Sequence, residues 1–406
     1  MPGPLEGIRV LDLTRVLAGP WAAQNLADLG ADVIKVERPK KGDDSRAFGP
    51  PWLKDAQGRD TAESAYFACA NRGKKSLTLD LAHPQGQAIA RELAAKCDVL
   101  LENFKFGDLE RYGLGYAQLQ SVNPGLIYCS VTGFGHTGPW RERPGYDFMI
   151  QGMGGLMSVT GERDDRPGGG PQKAGIPIAD LITGMYASVA VCAALASRAK
   201  TGKGQHLDLA LLDSLVAVLA NQGANYLATG TPPGRLGNDH PNIAPYQVLP
   251  TSDGSFIVAC GNDNLFGKFS QVLGRPELAA DARFVTNGKR VANRAELTRI
   301  ISEVTSKRSM RDWLDALEKA GVPCGPINNL EQVFAEPQAV ARGLRMEMRH
   351  PTAGKVSLVR SPMRFSETPV KHDVPPPTLG QHTEEVLKWL GKSEAEIARL
   401  RSDAIV

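Results

Sequence analysis

The chain predicts an α/β fold: a doubly wound, Rossmann-like large domain joined to a smaller α+β domain. Three observations predict it. Strand and helix patterns alternate from Ile8 to Val131, as in βαβ units that build a parallel sheet with helices on both faces. At 406 residues the chain exceeds what one hydrophobic core usually serves. Beyond about Gln222 the alternation stops, and one isolated strand pattern is followed by three amphipathic helices. We divide the sequence into a large domain over 1–221, a small domain over 222–330 and a C-terminal segment over 331–406.

The elements follow in order. Residues 8–13 read as a strand, and 20–29 as a helix opened by Pro20 and closed by Gly30. Residues 32–37 form the next strand. A second unit follows: strand 76–80, helix 84–96 and strand 98–101, with another strand at 127–131. The Ala-rich run 181–197 reads as a buried core helix, too short and too weakly hydrophobic to span a membrane. The connector Thr229-Gly230-Thr231-Pro232-Pro233-Gly234 leads to strand 255–260 and helices 264–273, 294–305 and 310–320. A strand at 355–359, a Pro-rich connector at 374–377 and helices 382–390 and 393–400 complete the chain.

The composition is that of a globular protein, 42% hydrophobic and 22% charged. A net charge of +3, with basic residues scattered among acids, gives no electrostatic footprint for nucleic acid. The six cysteines are widely spaced, without CxxC or His-rich companions, so neither a disulfide framework nor a metal site is expected. Cys97, Cys129, Cys192 and Cys260 read as core thiols, and Cys324 sits in a turn-rich loop without a neighbouring base. The N-terminus lacks the features of a secretory or transit leader, and a cytoplasmic protein with no membrane association is the expectation.

The loop after the first strand, Thr14-Arg15-Val16-Leu17-Ala18-Gly19-Pro20, carries one glycine and no G-x-G-x-x-G. Close backbone approach by a dinucleotide pyrophosphate is not provided there. No Walker motif is present; Gly168-Gly169-Gly170-Pro171 lacks the following Gly-Lys-Ser/Thr. Basic residues fall just after strands: Arg38, Lys40 and Lys41; Arg72, Lys74 and Lys75; Lys105 and Arg111. Single residues of this kind are mostly solvated surface. Several at the carboxyl ends of parallel strands suit a phosphate-rich ligand. His240, flanked by turn formers, reads as part of a structural turn.

Ala174-Gly175-Ile176-Pro177-Ile178-Ala179-Asp180 precedes the long apolar helix and places one carboxylate at its N-terminal mouth. Two readings stand: an N-cap, for which Asp is a preferred residue, and a nucleophile. The helix end is expected to keep this carboxylate ionised and aimed. Gln151-Gly152-Met153-Gly154-Gly155 precedes it, and the N–H groups of Gly154 and Gly155 are candidates for oxyanion support. Close backbone packing is the alternative.

Nearly end to end, these stretches resemble the class III CoA-transferases. The match rests on Leu5-Glu6-Gly7-Ile8-Arg9-Val10-Leu11-Asp12, Leu29-Gly30-Ala31-Asp32-Val33-Ile34-Lys35-Val36-Glu37 and Asn71-Arg72-Gly73-Lys74-Lys75-Ser76. It continues through Glu102-Asn103-Phe104, Gly133-Phe134-Gly135-His136-Thr137-Gly138-Pro139, Ala179-Asp180, Thr201-Gly202-Lys203-Gly204-Gln205 and Gly380-Gln381-His382-Thr383. The resemblance implies that Asp180 is the nucleophile that forms an aspartyl-CoA intermediate. It implies CoA contacts at Leu17, Ala18, Arg38, Leu79, Asp80, Leu81, Ala82, Asn103, Phe104, Lys105, Arg111, Pro144, Gly145, Tyr146 and Asp147. CoA thioester and free carboxylic acid are then substrates, with no resident cofactor. The resemblance further implies that the C-terminal segment returns to the large domain and that two chains interlock as a homodimer.

Two departures narrow the activity. The formyl-transferring branch has a glutamine where this chain has Leu17, and its glycine-rich insertion is missing between Gly230 and Leu249. The racemase branch has a histidine at the position of Tyr146, and tyrosine is a poor base at neutral pH. Tyr146 therefore favours transfer over racemisation. The chain looks most similar to the dicarboxylate members, with succinyl-CoA as donor; the remaining alternatives are a racemase on the same fold and a non-catalytic acyl-CoA binder.

Overall fold

A computed structural model describes residues 2–406. It is a mixed α/β structure with a six-stranded central sheet and three smaller sheets. The central strands are β1 (Arg9–Asp12), β2 (Asp32–Glu37), β3 (Lys74–Thr78), β4 (Val99–Glu102), β5 (Ile127–Thr132) and β6 (His206–Ala210). They lie in the order β3-β2-β1-β4-β5-β6, and every pair is parallel. Covered on both faces, they need apolar side chains at successive positions. Val10, Leu11, Val33, Ile34, Leu100 and Leu101 meet that need and are buried.

The chain runs outward from β1 to β3, then returns across the sheet to β4. Strand order therefore reverses between β1 and β4, and ligands of open α/β sheets bind outside the carboxyl ends at such a point. Helix α1 (Ala18–Asp28) follows β1 and α2 (Pro84–Lys96) follows β3; α3 (Asp147–Met153), α4 (Ile178–Thr201) and α5 (Leu211–Ala217) flank β6 in sequence. Helices α1 and α4 approach closely because Gly184 has no side chain; a Cβ there would lie 2.5 Å from Ala18 O. The C-terminal helices Thr383–Trp389 and Glu394–Ser402 send Val386, Leu387 and Leu400 into the same core as Leu11, Leu77 and Leu100.

Two compact units divide the chain: Met1–Gly155 with Ala174–Leu219 and Pro337–Val406, and Leu156–Lys173 with Ala220–Glu336. The second holds the antiparallel strands β7 (Tyr246–Pro250), β8 (Ser255–Ala259) and β9 (Cys324–Pro326). Helices α6 (Asp263–Val272), α7 (Arg294–Thr305) and α8 (Met310–Ala320) enclose its core of Phe256, Phe266, Phe269 and Trp313. The sequence division left 156–173 in the large domain. Those residues join the small unit because Gly237 N–H donates to Gly161 O at 3.1 Å and Arg235 Nε to Glu162 O at 3.3 Å.

Several elements differ from the sequence reading, and the strands β6, β7 and β9 were not predicted by it. Strand β3 begins at Lys74 rather than Ser76 because the Lys74 ammonium is buried in an ion pair with Asp12 at 3.0 Å. Helix α4 has 24 residues and is long and apolar enough to cross a membrane, with 39% of its apolar stretch buried. It is thus not the short, fully buried helix expected. Ala179, Thr183, Ala187 and Val191 pack inside, while Met185, Tyr186 and Val189 are exposed.

Candidate active site

A cleft opens where the strand order reverses. One lobe is walled by 15–18 after β1, 103–106 after β4, the end of β5, the segment 141–146 and Leu211, and it contains Asp180. The other is walled by 36–38 after β2, 79–82 after β3, Gly42, Asp43, Asp108 and Tyr112. Arg15 and Phe104 line both lobes, which are therefore adjacent.

Side chains hold these loops. Arg15 N–H donates to Asn103 Oδ1 at 2.9 Å, and Asn103 Nδ2 donates back to Arg15 O at 2.8 Å. Glu102 accepts from Phe104 N–H at 2.8 Å, and burial pushes its carboxyl up to about 7. The segment bearing Tyr146 lies against β5 through two glycine backbones; a Cβ on Gly133 would sit 2.5 Å from Gly145 Cα. Tyr146 itself is 71% exposed.

Asp180 is not the cap of its helix. Pro177 occupies the N-cap, and Asp180 is the third helical residue. The cap comes from Asp147, whose Oδ2 accepts from Ala179 N–H at 2.8 Å and from Asp180 N–H at 3.2 Å. Its Oδ1 accepts from Gln151 Nε2 at 2.6 Å, while Gln151 Oε1 accepts from Ala174 N–H at 2.8 Å. Asp147 is thereby placed as a support beneath the helix that bears Asp180 and lines neither lobe.

Among the described residues no hydrogen bond reaches the Asp180 carboxylate. Its environment corrects the expectation of a firmly ionised group: burial, with the neighbouring Asp147 charge added, pushes it up to about 7. The amide protons that would favour its anion are already committed to Asp147. Burial and then the Asp180 charge also push the Tyr66 phenol up to about 12, which places Tyr66 within electrostatic reach. Covalent attack on a thioester needs an accessible carboxylate that no protein donor satisfies, and this one fits.

Of the residues singled out from sequence, Leu17, Ala18, Asn103, Phe104, Lys105, Pro144, Gly145 and Tyr146 line the Asp180 lobe. Arg38, Leu79, Asp80, Leu81 and Ala82 line the other. Arg111 lines neither lobe and is paired with Asp108, which does line the second. Gly154 and Gly155 are outside both lobes. The Gly154 N–H donates to Ile150 O at 2.7 Å, and a Cβ there would meet Leu215 at 2.8 Å. Close packing accounts for that glycine, and its amide is not free for an oxyanion.

Arg15, Val16, Arg141 and Arg143 were missed. The last two belong to an Arg-Glu-Arg run that reads as solvated surface, yet each guanidinium lies over an aromatic ring. Arg143 is 5.0 Å from Trp140 and 5.5 Å from Phe134, and Arg141 is 4.8 Å from Phe106. With Lys105 they line the lobe that holds Asp180. Arg15 and Arg38 share the Asp44 carboxylate.

A cleft at the switch point, lined by Arg15, Lys105, Arg141 and Arg143 and containing Asp180, gives this α/β protein a site suited to an anionic ligand. Comparison with known sequences names the class. The chain belongs to CoA-transferase family III, whose sequence model matches residues 5–383. It is 51% identical over 387 residues to a succinate–glutarate CoA-transferase of Agrobacterium fabrum, covering 95% of this chain and 96% of that one. It is 46% identical over 404 residues to the human succinyl-CoA:glutarate CoA-transferase, covering 99% and 90%. A solved CAIB/BAIF family protein from Brucella suis superposes with a TM-score of 0.83 at 52% identity, covering 96% of this chain and 100% of that chain. The protein is a CoA-transferase.

Proposed function

We propose that this enzyme exchanges CoA between succinyl-CoA and a second dicarboxylic acid such as glutarate, with Asp180 as the nucleophile. The observation that carries the reading is the Asp180 carboxylate, which no hydrogen bond reaches among the described residues, in a cleft lined by Arg15, Lys105, Arg141 and Arg143. High identity to transferases named for succinate and glutarate supports the acids.

An Asp180 oxygen attacks the thioester carbonyl, the C–S bond breaks, and a mixed anhydride forms with release of CoA thiolate. The thiolate attacks the aspartyl carbonyl, which frees the first acid as carboxylate and leaves an aspartyl-CoA thioester. The incoming carboxylate then attacks that thioester, again expelling the thiolate and forming a second anhydride. Attack by the thiolate on the acceptor's carbonyl yields the new acyl-CoA and restores Asp180. Overall one acyl-CoA thioester is exchanged for another of similar energy, so no ATP is consumed, and covalent catalysis divides the exchange into separate steps. Tyr146 in the cleft, where racemases of this family carry histidine, supports transfer without α-proton chemistry.

The second lobe, with Arg38 and 79–82, takes the nucleotide end of CoA, and the first takes the pantetheine arm. Two chains pair through the exposed apolar side of α4, where Met185 and Val189 are 56% and 66% exposed; such a face marks an interaction surface. Six unpaired cysteines fit a reducing, cytoplasmic setting.

The reading is tested with succinyl-CoA and a panel of acids in deuterated water. Glutarate and comparable dicarboxylates should accept CoA at kcat/KM values at least roughly tenfold above those of butyrate, a difference within reach of one charged contact. Deuterium uptake at the α-carbon without acid-dependent CoA transfer would overturn it. Sedimentation should return twice the chain mass.

A further inference from the structure

Among the described residues, Val16 is the one non-glycine residue lining the cleft with a positive φ, at 71°. A β-branched residue strongly disfavours that conformation, so a loop free to relax would leave it. The Val16 N–H donates to Asp43 Oδ1 at 3.1 Å. Asp43 is 1% exposed, and the same oxygen accepts from Ser45 N–H at 2.9 Å and Ser45 Oγ at 2.7 Å. Its other oxygen lies 2.8 Å from Lys35 Nζ, and both side chains are wholly buried. Lys35 Nζ also donates to Thr14 O at 2.8 Å. One buried ion pair therefore grips the chain on both sides of Arg15.

A second pair supports the same loop. Asp12 accepts from Thr14 N–H at 3.0 Å and pairs with Lys74 at 3.0 Å, while Lys74 Nζ donates to Pro20 O at 2.9 Å. Burial works against the Asp43 charge, yet Lys35 and Ser45 outweigh it and bring the carboxyl down to about 2. Buried ion pairs contribute little net stability, because desolvation offsets their attraction. What this pair supplies is fixed geometry where the chain is strained.

We propose that Lys35 and Asp43 are positioning residues: their ion pair clamps Val16 in its left-handed turn and so sets the wall against which acyl-CoA lies. The inference rests on the cleft being the acyl-CoA site. Lys35→Met with Asp43→Asn removes both charges at similar shape and leaves no unpaired ion. Acyl-CoA KM should rise about five- to tenfold in this double variant, with kcat and the KM for the free acid within about twofold of the parent. Adding Val16→Gly, which adopts this φ freely, should bring the acyl-CoA KM back towards the parent value. An unchanged acyl-CoA KM in the folded double variant overturns the clamp.

Hydrogen exchange on the parent chain gives a readout that needs no variant. The peptide covering 13–18 should exchange as slowly as β1 without any ligand; exchange as fast as that of the 164–169 loop overturns the clamp. Lys105→Glu separates the two claims, since it alters the same lobe without touching the pair. If it leaves acyl-CoA KM unchanged, the cleft reading fails and the proposal with it. If it raises KM while the double variant does not, only the clamp fails.

Discussion

Two groups of buried charge meet at the cleft, and they are built in opposite ways. Around the β1–α1 loop, Asp12, Lys74, Lys35 and Asp43 are paired and hydrogen-bonded, and their carboxyls lie below the usual range. At the start of α4, Asp180 has only a like charge beside it and is pushed up to about 7. Full pairing fixes backbone geometry and suppresses reactivity; an unpaired carboxylate keeps lone pairs free for bond formation. The division of labour extends to two aspartates 33 residues apart. Asp147 takes the helix amides, and the Asp180 carboxylate receives none of them.

The largest effect expected is at the unpaired group. Asp180→Ala should lower kcat by roughly 10⁴-fold or more while acyl-CoA still binds, checked by steady-state kinetics beside calorimetric binding. Retained turnover would show that the unpaired carboxylate is not the nucleophile. Asp147→Ala should cut kcat/KM by roughly 10- to 100-fold and cost about 1 kcal/mol through loss of the cap. It should also move the acid limb of the pH profile below that of the parent, since a neighbouring negative charge no longer opposes Asp180 ionisation. An unmoved limb would separate capping from electrostatics.

In the parent, kcat/KM should fall about tenfold per pH unit below about 7, where the free enzyme's nucleophile becomes protonated. The stability consequence has the opposite sense. A carboxyl raised from 3.8 to about 7 holds more protons folded than unfolded. Its favourable contribution is complete below the unfolded value and is lost as pH rises through about 7. Asp180→Asn should therefore match the parent near pH 4 and be more stable near pH 8, by about 1–2 kcal/mol after screening. Denaturant titrations at the two pH values measure it; equal stabilities at pH 8 would mean that the site does not penalise the charge.

Much of the fold was legible because buried parallel strands show as apolar runs between helices. β2, α2, α7 and α8 lie where periodicity and end signals put them. The start of β3 was not legible, since a lysine inside a sheet reads as surface until its partner Asp12 is in view. Asp180 stood out locally as a carboxylate at a helix mouth, but the local pattern left cap and nucleophile both open. Only the resemblance to CoA-transferases favoured the second. Its supporting cap was not legible, because Asp147 reaches it only through the tertiary fold. Likewise Arg141 and Arg143 read as exposed charge, and only the rings beneath them reveal a fixed orientation.

The central claim is that the unpaired Asp180 carboxylate carries the CoA group between acids. Mass spectrometry after incubation with succinyl-CoA tests it most directly. The account predicts a CoA thioester on the peptide containing Asp180, discharged by added glutarate and missing in Asp180→Ala. Acid-dependent turnover with no adduct on that peptide, or an adduct on another residue, would contradict it.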